Sequence, residues 1–241
     1  MIIIPDVHGR NFWRKPVEKA LGKEHIIFLG DYLDPYQYED IYPSEAFLIF
    51  EEIVSLKMKY PDDITLLLGN HDLHYISPDI AGGRKDYARM VDIRDIIIGN
   101  AGLFRMAQEA VINSKKFLFT HAGVRQGWLD FEDEYLGQLT PEDVCHRLNE
   151  MWLDEDQRPM LLDILADVSY ARWGLQPYGS PIWNDVIEMD DDVEELPGYY
   201  QVFGHSQQEH SPVIGEHFAC LDCRRAFRID DLGQILTISV I

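Results

Sequence analysis

An α/β fold, with a largely parallel sheet in the first half of the chain and a second sheet towards its end, is predicted from three observations. Short apolar runs alternate with helical patterns through the first half, a helical and acidic stretch follows, and strand-like runs separated by turn residues close the 241-residue chain. A chain of this length suits one large α/β domain, and no internal repeat or low-complexity tract divides it.

The elements follow in order. Ile2 to Ile4 is a first strand of β-branched residues, and Asn11 to Ala20 carries helical spacing. Ile26 to Leu29 is the second strand, followed by a helix near Ser44 to Met58. Ile64 to Leu68 is the third, with helical stretches near Arg84 to Val91 and Ala101 to Glu109, and Lys116 to Thr120 supplies another strand. From about Gly127 to Gly198 the sequence is helical, acidic and Trp- and Pro-containing; "TPEDV" reads as a helix start and "MDDDVEELPG" as an exposed acidic loop. This stretch is expected to be an insertion on the domain. Strands return at Tyr199 to Phe203, Val213 to Ile214, Phe218 to Leu221, Ala226 to Ile229 and Ile235 to Val240, with turns such as "DDLG", and imply a second, mainly antiparallel sheet.

Composition narrows the function classes. Hydrophobic residues make up 46% and charged residues 26% of the chain, which suits a folded globular protein. Asp and Glu number 42 against 21 Lys and Arg, a formal charge of −21. Such a field repels polyanions, so nucleic acid is not an expected partner. The longest apolar stretches fall well short of the roughly 18 to 20 residues a membrane helix needs, and no export signal is visible. Cys145, Cys220 and Cys223 are too few and too odd in number for a disulfide framework, which points to a reducing, cytoplasmic location. The single C-x-x-C of Cys220 and Cys223 has no second pair to complete a zinc site and sits in a strand pattern.

The informative feature is where the apolar runs stop. "IIIP" ends in Asp6-Val7-His8, "IIFLG" in Asp31, "ITLLLG" in Asn70-His71-Asp72, "KFLFT" in His121 and "YYQVFG" in His205. Ligands of α/β sheets gather beyond the carboxyl ends of strands, so one site built from distant segments is expected. Neutral imidazole mixed with carboxylate and amide oxygen suits Zn, Mn or Fe, and the number of candidates exceeds what one catalytic metal needs. Two metals about 3.5 to 4 Å apart would use them all, bind phosphoryl oxygens and acidify a water between them. They would also keep crowded Asp6 and Asp31 ionised.

At these residues the sequence resembles the calcineurin-like metallophosphoesterases, and within them the branch that holds the Ser/Thr phosphoprotein phosphatases and the symmetrical diadenosine tetraphosphatases. "DVHGR", "GDYLD", "GNHD", "THAG" and "FGHS" match the family's ordered motifs from Asp6 to His205. The resemblance implies a single domain over 1–241, a four-layer α/β/β/α sandwich with two central mixed sheets, with the helical acidic cap or insertion at about 127–198. It implies two divalent or trivalent transition metal ions, Mn, Fe or Zn: one held by Asp6, His8 and bridging Asp31, the other by Asp31, Asn70, His121 and His205. His71 then faces the leaving oxygen as general acid, with Asp34 as its acidic partner. Asp72 is left with a loop or helix-capping role.

The departures are as informative. Gln207 stands where many family members have a second histidine in the last motif, the pattern of the phosphoprotein phosphatase branch. Pro35 stands where that branch carries a phosphate-clamping arginine, so Arg10 or Arg125, each next to a ligand, is the expected substitute. His74 is a candidate to line the substrate site, Trp128 to stack or pack, and Trp183 to pack. The expected activity is that of a dimetal phosphomonoesterase of Ser/Thr protein phosphatase type, with a metal-bridging hydroxide as nucleophile and a phosphoprotein or small phosphoester as substrate. The alternatives are a symmetrical dinucleoside polyphosphate hydrolase and, from another class, a catalytically silent metal-binding scaffold. The presence of every ligand and of the His71–Asp34 pair speaks against the scaffold.

Overall fold

The structure is a computed structural model that describes residues 1–189 and 196–238; the expected acidic loop at 189–198 falls for the most part outside them. Two compact units are resolved, Met1–Arg105 together with the chain from Arg224, and Met106–Cys223.

The first unit begins with β1 (Ile2–Ile4), α1 (Arg14–Ala20), β2 (Ile26–Phe28), α2 (Pro43–Lys59), β3 (Ile64–Leu67), the single turn α3 (Asn70–Leu73), α4 (Met90–Gly99) and β4 (Phe104–Arg105). β1, β2, β3 and β4 pair in parallel, with Ile3 opposite Ile27, Ile27 opposite Thr65, and Leu66 opposite Phe104. All of β1, β2 and β3 is buried, which is why these strands read as unbroken apolar runs rather than alternating ones. α2 starts on Pro43, and the Glu45 carboxylate accepts the Tyr42 N–H at 2.9 Å. Its Ala46, Ile49, Phe50, Ile53 and Val54 fall on one buried face. A chain of aromatic contacts, Trp13–Phe28–Tyr32–Phe50–Phe104, runs through this core at centroid spacings of 5.5 to 6.2 Å.

Gly30, after β2, has φ +107°, and a Cβ there would lie 2.6 Å from the Gly69 nitrogen after β3. The two strand ends come this close only because residue 30 is glycine.

Two expected helices are corrected. Arg84 to Arg89 is a loop, and the helix runs instead from Met90 to Gly99. Gly82 and Gly83 precede Arg84, which takes a left-handed φ of 63°, and the Asp86 carboxylate accepts the Ala88 N–H at 3.0 Å, so the segment turns where a helix would have continued. Ala101 to Glu109 holds only a short helical turn at Ala101–Leu103 before β4 and the next strand. Phe104 and Arg105 pair with the edge of β3, and this pairing overrides the local pattern.

The second unit contains β5 (Gln108–Ile112), β6 (Lys115–Phe119), α5 (Gln126–Phe131), α6 (Asp133–Leu136), α7 (Val144–Leu153), α8 (Arg158–Leu165), β7 (Tyr200–Phe203), β8 (Val213–Ile214) and β9 (Phe218–Cys220). β5 and β6 form a hairpin through Asn113 and Ser114, both left-handed at φ 49° and 63°, the conformation a tight two-residue turn requires. The sheet order is β5-β6-β7-β9-β8, parallel in its centre and antiparallel at both edges. It is mixed, where the sequence suggested mainly antiparallel. Within the expected insertion at 127–198, the described α-helices end with α8 at Leu165, and short turns at Tyr170–Arg172 and Val186–Glu188 follow. Val144, Leu148, Met151 and Trp152 of α7 are buried, and Asn149 accepts the Met106 N–H and donates to the Ala107 carbonyl.

β10 (Phe227–Ile229) and β11 (Ile235–Thr237) leave that sheet and return to the first unit, where β10 pairs antiparallel with β1. The first sheet is therefore β11-β10-β1-β2-β3-β4. β1 is the first strand formed along the chain but not an edge strand, and its open side accepts β10. No described helix is long and apolar enough to cross a membrane.

Candidate functional site

In the first unit the loop after β1 is laced to the loop after β2. Val7 and His8 donate their N–H groups to the Asp31 carbonyl at 3.0 and 2.7 Å, and Gly9 donates to the Tyr32 carbonyl at 3.0 Å. His8, Asp31 and Asp34 all take left-handed backbone conformations, at φ 44°, 51° and 60°. Such strained non-glycine residues persist where the surroundings over-determine them, and here they aim side chains at one point. The ligand atoms of Asp6, His8 and Asp31 lie within 4.8 Å of one another, and each residue is 1% exposed.

His8 Nδ1 lies 2.7 Å from the Leu33 carbonyl, which can only accept, so this nitrogen carries the hydrogen and Nε2 presents a lone pair. Burial pushes the His8 imidazole down to about 3 in spite of Asp31, which keeps it in the neutral, ligating form. Its Nε2 stands 3.5 Å from Asp31 Oδ2. Two buried electron-pair donors facing each other at that distance, with a second carboxylate beside them, suit a cation, so the donor set fits a metal ion.

Asn70 and His71 open α3, with Asn70 buried and the His71 N–H donating to Asp31 Oδ1 at 2.9 Å. Asp72 has a larger part than the sequence suggested. It is fully buried, and its carboxylate accepts three backbone N–H groups, from Asp31 at 2.8 Å, Tyr32 at 3.0 Å and Gly69 at 2.9 Å. Burial, with the Asp31 charge close by, pushes the Asp72 carboxyl up, and the three amides act in the opposite sense. Asp72 ties the loop that carries Asp31 to the loop that carries Asn70.

The two residues expected as an acid–base pair lie in contact: His71 Nδ1 is 2.8 Å from Asp34 Oδ2. Asp34 is held by more than this one partner. His74 Nε2 lies 2.7 Å from the same oxygen, and the Tyr75 hydroxyl donates to Oδ1 while accepting the Asp86 N–H at 2.7 Å. Burial opposes ionisation of Asp34, but His71 and His74 outweigh it and hold its carboxyl below the usual carboxylate range. Asp34, His71 and His74 also have the composition of a metal site. His71 Nδ1, however, meets the carboxylate in hydrogen-bond geometry, that of an oriented base, whereas His74 Nε2 is near the same oxygen without making a hydrogen bond. His74, expected to line the substrate site, has a fully enclosed side chain that lies against the Asp34 carboxylate.

Arg10 donates from Nε to Glu39 at 2.9 Å and from Nη1 to the Asp6 carbonyl at 3.2 Å; its Nη2 is buried without a hydrogen bond. The Glu39 carboxylate is shared, its other oxygen pairing with Arg224 at 3.1 Å. A residue the sequence reading passed over is Arg84. Its Nε donates to the Asp34 carbonyl at 3.1 Å, its guanidinium lies 3.9 Å from the centre of the Tyr36 ring, and one terminal nitrogen is 3.4 Å from His71 Nε2. The only signal in the sequence was the glycine pair before it.

In the second unit His121 and His205 follow the adjacent parallel strands β6 and β7 and meet, with His121 Nε2 3.1 Å from His205 Nδ1. Both are buried, and the Trp183 ring stands edge-on to His205 at 5.3 Å. The Cys220 thiol points at the carbonyls of Gly204 and Ser206, both at 3.3 Å, on either side of His205. Arg125 pairs with Glu188 at 3.2 Å, and Trp128 is fully buried, a packing residue.

The calcineurin-like phosphoesterase family model matches residues 1–209. The chain is 37% identical to the serine/threonine-protein phosphatase 4 catalytic subunit of Eremothecium gossypii over 256 aligned positions, 95% of this chain and 73% of that protein. Among solved structures it is similar to a Saccharomyces cerevisiae protein serine/threonine phosphatase with similarity to human phosphatase PP5. That match has a TM-score of 0.55 at 13% identity and covers 100% of this chain and 79% of the other. It is also similar to a cold-active protein-tyrosine phosphatase of a psychrophilic Shewanella species, with a TM-score of 0.52 at 16% identity over 99% of this chain and 80% of that one. At such identities the structural likeness shows the fold.

Proposed function

The chain belongs to the calcineurin-like phosphoesterase family, and on that premise we propose that it is a dimetal-dependent phosphomonoesterase of the Ser/Thr protein phosphatase type. The observation that carries this reading is one unit that holds both a buried Asp6–His8–Asp31 cluster and a histidine oriented by a carboxylate, His71 on Asp34.

On the family's motifs, Asp6, His8 and Asp31 would hold one ion, and Asp31, Asn70, His121 and His205 would supply the ligands of the other. The buried cluster in the first unit and the His121–His205 pair in the second support this assignment. Two such ions, of the Mn, Fe or Zn kind, supply the positive charge that offsets phosphoryl oxygens and the acidity that makes water a nucleophile. The protein's own groups do the rest. His71 keeps Nδ1–H on Asp34, so Nε2 is the nitrogen that exchanges a proton with the leaving oxygen. Asp34, ionised at neutral pH and fixed by His74 and Tyr75, sets that tautomer and stabilises the imidazolium. Asn70 adds an oxygen donor without adding charge beside two carboxylates.

Hydrolysis of p-nitrophenyl phosphate before and after chelation, with Mn added back, tests the reading. Activity lost on chelation and restored by Mn is expected; a metal-replete protein with no phosphatase activity sinks it. Comparing kcat/KM for phosphoserine, phosphothreonine and phosphotyrosine peptides and for diadenosine tetraphosphate then identifies the substrate class. The phosphoserine or phosphothreonine peptide is expected to lead.

A further inference from the structure

We propose that Arg84 holds the phosphoryl group of the substrate, a role that rests on the phosphatase reading above. Next to Asp34 in sequence is Pro35, which offers no donor, so the cation must come from elsewhere in the fold.

Several arginines lie close to candidate site residues, and their charges are not equivalent: Arg172, which donates to Ser206 beside His205, is paired with Asp185 at 2.9 Å. Arg10 is paired with Glu39 at 2.9 Å and Arg125 with Glu188 at 3.2 Å. Arg84, among the described residues, has no carboxylate against its guanidinium. In a chain of net charge −21, a half-buried arginine left uncompensated beside a proton donor is unusual, and a dianion is the partner that would compensate it.

Its geometry points the same way. Nε is committed to the Asp34 carbonyl, and the flat face rests on Tyr36, so the orientation of the fork is set while its terminal nitrogens remain for a ligand. One of these is 3.4 Å from His71 Nε2, and the His71 and His8 rings are 5.1 Å apart. An oxyanion at the Asp6–His8–Asp31 cluster is therefore within reach of the same guanidinium. When that nitrogen turns from Nε2 to a phosphoryl oxygen, it also releases Nε2 for its exchange with the leaving oxygen.

The loop is built to hold this position. A Cβ on Gly82 would fall 1.6 Å from His74 Nδ1, so the backbone lies directly on the imidazole that supports Asp34. Lys85 donates to the His74 carbonyl, and Arg84 itself sits in the left-handed region at φ 63°. A strained, uncompensated cation is what a binding site retains and a packing role has no use for.

The test uses the full chain, metal-loaded, with inorganic phosphate as the probe in titration calorimetry and p-nitrophenyl phosphate in kinetics. Removing a charge-assisted hydrogen bond should raise the phosphate Kd, and the KM, of Arg84→Met by about 10- to 100-fold, with metal content unchanged. Arg84→Lys, which keeps the charge but loses the fork, should fall between the two. If Arg84→Met proves poorly folded, the Arg84→Lys comparison decides alone. A phosphate Kd within twofold of wild type in the folded variant overturns the role of Arg84 while leaving the phosphatase reading intact. Wild-type protein that binds phosphate through Arg84 but hydrolyses no phosphoester overturns the phosphatase reading instead.

Discussion

Single residues around the site have roles that can be separated by substitution. His71→Asn removes the proposed proton donor but no proposed ligand, so kcat should fall by about 10²- to 10⁴-fold with the metal content of wild type retained by elemental analysis. Loss of metal in that variant would mean that His71 is itself a ligand. Asp72→Ala acts differently, because it leaves three buried amide donors, of Asp31, Tyr32 and Gly69, without an acceptor. At about 1 to 3 kcal/mol for each stranded donor, urea denaturation should show a loss of at least about 3 kcal/mol. The type of each metal-binding candidate was readable from the sequence. The work of Asp72 was not, since its acceptors' partners come from a loop 40 and 41 residues away.

Elements decide whether those residues meet. The carboxyl ends of β2 and β3 approach at Gly30 and Gly69, and this approach brings the Asp31 loop to α3. Gly30→Ala places a Cβ 2.6 Å from a backbone nitrogen at a φ of +107°, which side chains rarely adopt. A loss of about 2 to 5 kcal/mol in unfolding experiments, together with weaker metal binding, is expected. A variant of normal stability would show that the strand ends have room to spare. Most strands were legible because buried parallel strands are continuous apolar runs. The misread stretches, Arg84 to Val91 and Ala101 to Glu109, were those where a glycine pair or an open sheet edge overrode the local pattern.

For the molecule as a whole, the second unit carries a pH-dependent liability at Glu132. Burial and the neighbouring Asp167 push the Glu132 carboxyl up to about 7, above its ordinary 4.5. Between those values the folded chain keeps a proton that the unfolded chain releases, so stability falls as pH rises through this window. Glu132→Gln should accordingly match wild type near pH 5 and show a higher Tm at pH 8; a Tm difference that does not change with pH would refute the assignment. The same long-range logic separates what each level of description decided. The sequence by itself determined which residue types would be candidates for a site, because imidazoles and carboxylates at the ends of apolar runs mark potential ligands beyond the strand ends. It also determined that two sheets exist. Only the tertiary structure decided that β10 and β11 return to β1, and which arginine keeps an uncompensated charge. Ion pairing depends on distance in space: Arg10 finds Glu39 from 29 residues away and Arg125 finds Glu188 from 63, whereas Arg84 reaches the Asp34 carbonyl across 50 residues with its charge unmatched.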